Sequence, residues 1–132
     1  MVAGKMSTPL SRVRGLGAAK TGTETFWRQR VTAVANVPLA IAFVVIVVSL
    51  LGRNHAAAAQ ILGSPLIAII MLLFIASITT HMRVGMKEII EDYVHEEPAR
   101  AILLMGNIFF TLAVALASAY GILRLSFGVF GV

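Results

Sequence analysis

Three long stretches free of charged side chains, residues 31–51, 55–81 with the histidines counted neutral, and 101–123, decide what this chain can fold into. Each exceeds the roughly 20 residues that an α-helix needs to cross the hydrocarbon core of a bilayer. Lipid offers no hydrogen-bond partners, so the backbone of such a stretch must satisfy itself, and a helix does this within one segment. Composition agrees: of 132 residues 58% are hydrophobic and 13% charged, about half the charged share usual in a soluble domain. The reading is an all-α integral membrane protein with three transmembrane helices, at approximate spans 30–52, 62–84 and 100–124. They belong to a membrane domain over residues 26–132, preceded by a basic cytoplasmic arm over residues 1–25. Three helices alone enclose little interior for a large cofactor, so partner helices are expected to complete the bundle.

Cysteine is absent, which excludes disulfides, thiolate iron–sulfur ligation and cysteine nucleophiles on this chain. The formal net charge of +5 points to an anionic membrane surface rather than to nucleic acid, because most basic residues flank apolar spans. Six of them precede the first span, Arg83, Lys87 and Arg100 flank the second connection, and Arg53 and Arg124 lie on the other side. Nine against two sets the orientation under the positive-inside rule. The amino terminus and residues 81–97 face the cytoplasm, or the matrix in a mitochondrion, and the carboxyl terminus faces the periplasm. The first thirty residues lack the apolar core and cleavage site of a signal peptide. The Gly-, Ser-, Thr- and Arg-rich start reads as a polar arm that orders against partners. No internal repeat supports the inverted-repeat architecture of secondary transporters.

The connection at residues 52–54 is short, and Ser64 followed by Pro65 has the form of an N-cap and a first-turn proline. The second span is expected to begin there or a turn earlier. Residues 82–94 keep helical periodicity, with Met86, Ile89, Ile90 and Tyr93 between charged positions, which predicts an amphipathic extension leaving the membrane. Pro98 either ends that extension or starts the third helix.

The candidate chemistry lies in residues 81–97, HMRVGMKEIIEDYVHEE. His81 stands about 16 residues, or roughly 24 Å, beyond Pro65. An imidazole at that depth can ligate haem iron, or it can hydrogen-bond to a carbonyl or a neighbouring helix. If the helix continues, Asp92 returns to within roughly 20° of the His81 face and Glu88 falls on it too. A phenol beside a carboxylate, Tyr93 beside Asp92, suits a quinone carbonyl and its proton, and also suits an aromatic belt at a membrane surface. Gly85, one turn beyond His81, permits close approach of a flat macrocycle. Arg30 at the entrance of the first span can meet lipid headgroups or haem propionates, with Thr32 and Asn36 expected to make the same helix side polar. Trp27 reads as an interface anchor, His55 as a loop residue on the side opposite the site, His95 as a surface residue, and Asn107 as an interhelical hydrogen-bond donor.

These residues resemble a known family. The wording FW-x-QRVTAVA at residues 26–35 and the spacing H-x3-G-M-x5-D-Y-V from His81 resemble the hydrophobic membrane anchor, the D-type subunit, of succinate dehydrogenase (respiratory complex II), in its alphaproteobacterial and mitochondrial-like branch. The resemblance spans about residues 24–125, and the Glu-rich run after Tyr93 and the long arm before Phe26 depart from it. The resemblance implies a subunit of succinate:ubiquinone oxidoreductase in the inner (cytoplasmic) membrane, serving the respiratory chain and the tricarboxylic acid cycle and not catalytic alone. Its implied partners are a C-type cytochrome b membrane subunit, a flavoprotein carrying FAD, and an iron–sulfur subunit. It also implies a haem b shared with the C-type subunit, with His81 as axial ligand to the iron and Arg30 at the propionates. Tyr93 would hydrogen-bond ubiquinone and Asp92 would deliver protons. Two other classes remain at the sequence level: a structural anchor or assembly protein without a cofactor, and a small proton-coupled transporter using Asp92 or Glu88.

Overall fold

The computed structural model describes residues 19–129 and Leu10. Apart from Leu10, the part of the predicted polar arm before Ala19 lies outside the described residues. From Ala19 onward that arm is already helical: α1 spans Ala19–Ser49, α2 His55–Gly63, α3 Pro65–Tyr93 and α4 Glu97–Val129. No strand occurs among the described residues. Three helices, at Thr23–Ser49, Pro65–Tyr93 and Glu97–Gly128, are long and apolar enough to cross a membrane, so the chain is a multi-pass membrane protein. The first begins ahead of the predicted span 30–52 and ends short of it, the second begins inside 62–84 and runs past its end, and the third overruns 100–124 at both ends. Helical hydrogen bonding does not stop at the hydrocarbon boundary, and the charged turns beyond it are solvated.

Local chemistry sets the breaks. Ser49 Oγ donates to the Ile46 carbonyl at 2.6 Å, Arg53 Nε donates to the Ser49 carbonyl at 2.7 Å, and Gly52 at φ +73° turns the chain away. That left-handed backbone is open to glycine without a Cβ penalty. Asn54 then caps α2, its side-chain oxygen accepting from the Ala57 N–H at 2.9 Å, and an alanine run propagates the helix. The sequence predicts a short connection here and a second span starting at Ser64 or a turn earlier, with no helix of its own before it. A separate short helix forms because Pro65 disfavours helical backbone at the residue before it, and Ser64 is extended at φ −65°, ψ 136°. Ser64 does serve as the N-cap of α3 with Pro65 in the first turn, although its hydroxyl makes no capping bond. Pro98 falls in the first turn of α4, where its missing N–H costs nothing.

The arrangement is an open layer rather than a closed bundle. α3 is central, packed on one side by α1 and on the other by α4, whereas α1 and α4 do not pack against each other; α2 rests on α4 and touches α3. The core lies in the half remote from the start of α1. There Ile46, Ala68, Met71 and Ile122 are buried, with Leu62 and Phe43 against them, and Phe43 stacks on Phe74 at 5.0 Å. Elsewhere large apolar residues are exposed, and even the most enclosed span has 17% of its apolar window buried. Such surface needs lipid or another protein as its solvent.

Candidate functional site

The site forms at the other half of the layer, the basic end, where α1 begins and α3 ends. On α1, Thr25, Gln29, Thr32 and Asn36 recur at spacings of three and four and so share one face. That face meets α3: Thr32 Oγ1 lies 3.0 Å from His81 Nδ1, and Ser77 Oγ reaches the Thr32 carbonyl at 3.4 Å. The same Thr32 hydroxyl is 2.7 Å from the Arg28 carbonyl and 3.2 Å from that of Gln29. A threonine hydroxyl has one proton. With that proton on a carbonyl, the hydroxyl can accept from His81 Nδ1–H, the tautomer that carries its lone pair on Nε2. The half-buried His81 is thus oriented by a neighbouring helix.

Gly85 sits one turn further along that interface. A Cβ built there would stand 3.3 Å from Gln29 Nε2, so the space the glycine leaves is used by the Gln29 amide. Its other amide atom, Oε1, and Asn36 Oδ1 are buried without a hydrogen-bond partner among the described residues. Two orphan acceptors on either side of Thr32 make the seam an attractive place for donors such as water.

α3 runs unbroken to Tyr93, which is the condition for His81, Glu88 and Asp92 to share a face. Asp92 then stands roughly 16 Å along the axis from His81. Asp92 is exposed, and so is Tyr93, at 79%. Arg30 is not brought to His81. It is exposed, with its guanidinium carbon 4.4 Å from the centre of the Phe26 ring. The expectation that Thr32 and Asn36 make the Arg30 side of the helix polar fails, because they lie about 200° and about 240° round from Arg30. Asn107 Nδ2 donates to the Arg83 carbonyl at 2.9 Å, bridging α4 to α3. His55 begins α2 at the remote end and His95 lies in the turn beyond α3, both exposed. Among the described residues no three His, Cys, Asp or Glu side chains could together cage a metal ion.

Sequence reasoning missed the roles of Thr32 and Gln29. Their period of three and four with Asn36 was the available signal, and their partners lie on another helix, 49 residues away for Thr32 and His81.

Comparison with known proteins adds to this geometry. Residues 4–117 match the model of a family described as succinate dehydrogenase/fumarate reductase transmembrane subunit. The chain is also similar to the succinate dehydrogenase hydrophobic membrane anchor subunit of Paracoccus denitrificans, with 30% identity over 121 residues that cover 92% of this chain and 93% of that one. No solved structure matches it significantly.

Proposed function

The chain belongs to the succinate dehydrogenase/fumarate reductase transmembrane subunit family, and we propose that it anchors a succinate:ubiquinone oxidoreductase while supplying one haem ligand and part of the ubiquinone reduction site. The observation that carries this reading is the 3.0 Å contact between His81 Nδ1 and Thr32 Oγ1. It supports Nε2 as the ligating atom, on the helix that ends in the exposed Asp92 and Tyr93.

His81, with Thr32 behind it, would suit a haem b as an iron ligand. His81 would hold the iron through Nε2, with Thr32 fixing its tautomer as outer-shell partners of metal-bound histidines do. Neither His55 nor His95 is placed to give the second ligand, which falls to a C-type partner subunit. When bound, a b-type haem supplies a site for one electron close to the quinone. The propionate role that the resemblance assigns to Arg30 requires its guanidinium to leave the Phe26 ring and swing round α1. Its exposure leaves that motion open.

Ubiquinone reduction takes two electrons, delivered from flavin and iron–sulfur clusters on partner subunits, and two protons. Tyr93 donates its phenolic hydrogen bond to a quinone carbonyl, polarising it toward reduction. Asp92, adjacent and solvent-facing, replaces the proton passed on. The charge pattern supports a cytoplasmic position for this end of the layer at the inner membrane, where peripheral subunits can dock on it.

Tyr93→Phe tests the assignment. In the assembled complex it should lower succinate:ubiquinone reductase activity about tenfold or more, while succinate oxidation with an artificial dye stays at the wild-type rate. Wild-type quinone reduction would instead support an anchor without a chemical role.

A further inference from the structure

A groove opens among the three long helices, and Thr80, Val84 and Lys87 on α3 line it. Its volume is about 600 Å³, and all three long helices contribute to its wall. At the basic end the wall carries Arg28, Arg83 and Lys87 against one carboxylate, Glu24. Arg28 is tied to Glu24 at 2.6 Å and Lys87 to Glu91 at 3.6 Å. Both pairs are between neighbours one turn apart on a well-solvated surface, where such pairs contribute little and yield to a stronger anion. Arg83 makes no ion pair among the described residues.

Deeper in the layer the chemistry changes. Leu104 and Ile108 on α4 line the groove, and a smaller depression continuing from Thr80, Arg83 and Ile108 reaches Leu112 and Thr111. Leu104, Ile108 and Leu112 follow at intervals of four, forming one aliphatic track that descends from the cations toward the middle of the membrane. The hydroxyls beside it are already used: Thr80 donates to the Ala76 carbonyl and Thr111 to that of Asn107. The groove thus has a cationic head and a dry tail.

We propose that this groove binds an anionic phospholipid, its phosphate held by Arg83, Lys87 and Arg28 and one acyl chain lying along Leu104, Ile108 and Leu112. A free phosphate would use the cations but not the track, and a zwitterionic lipid would fill the track while its ammonium faced the cations.

The test uses the complex containing the full-length chain, reconstituted in vesicles doped with phosphatidylglycerol or phosphatidylcholine bearing a photoactivatable acyl chain. After irradiation, adducts on this chain are mapped by mass spectrometry. The glycerol lipid should label residues 104–112 well above the choline lipid. Arg83→Gln should cut that labelling about fivefold, the effect of one interfacial cation, and Lys87→Gln is the second arm should the first fail to assemble. Arg53→Gln, at the remote end, should label as wild type. Equal labelling by the two lipids, unchanged labelling in both groove variants, or displacement of the lipid by inorganic phosphate would overturn the proposal.

Discussion

In the half of the layer remote from the basic end, Ile46, Ala68, Met71 and Ile122 meet from three helices and Phe43 stacks on Phe74. In the other half, the α1–α3 contact is made by Gln29, Thr32, Ser77 and His81, with two acceptors left unpaired among the described residues. The α1–α3 pair takes part in both, joined by α4 in the first. Lipid tails are as apolar as leucine, so the first contact is stabilised by dispersion and shape, and the second by hydrogen bonds whose loss would leave polar groups in an apolar medium. The consequence is a division of labour: the apolar half fixes where α3 stands, and the polar half fixes how one imidazole is turned.

Substitutions in the two halves should therefore fail in different ways. The largest effect on stability belongs to Met71→Ala, which opens a cavity where three helices converge and should cost about 2 kcal/mol. A lower thermal midpoint of the purified complex with an unchanged haem spectrum would show it, and a spectral change would blur the division. Next comes Thr32→Val, which keeps the shape but removes the acceptor for His81 Nδ1–H. Haem affinity should fall about tenfold or more and the haem potential should shift, while the melting temperature moves little and Thr32→Ser restores both. The smallest contrast compares two glycines. Gly106→Ala meets nothing within 4 Å and should stabilise by less than about 1 kcal/mol through helix propensity. Gly85→Ala must push Gln29 aside and should gain less, as read by the same melts.

Much of this is legible in the sequence. The three apolar runs, the Ser64–Pro65 start of α3, and the continuation of helical period through Ile89 and Ile90 all follow from local chemistry that a sequence displays. The separate helix α2 was hidden because its alanines extend the apolar run, although Asn54 ahead of them carried a capping signal. The helical start of α1 at Ala19 was hidden by the polar composition of the arm. Arg30 shows a different limit: being polar near other polar residues did not place it on their face, and counting 100° steps from Thr32 would have done so. Thr32 and Gln29 acquire their meaning from residues on α3, and no local pattern names a partner that far along the chain.

The central claim is that His81, aimed by Thr32, ligates haem. A reduced-minus-oxidised optical spectrum of the detergent-purified complex, wild type beside His81→Ala, tests it most directly. A b-type signal in wild type that is lost or shifted in the variant, with the complex still assembled because alanine suits a helix, is the predicted result. An identical b-type signal in both would contradict it.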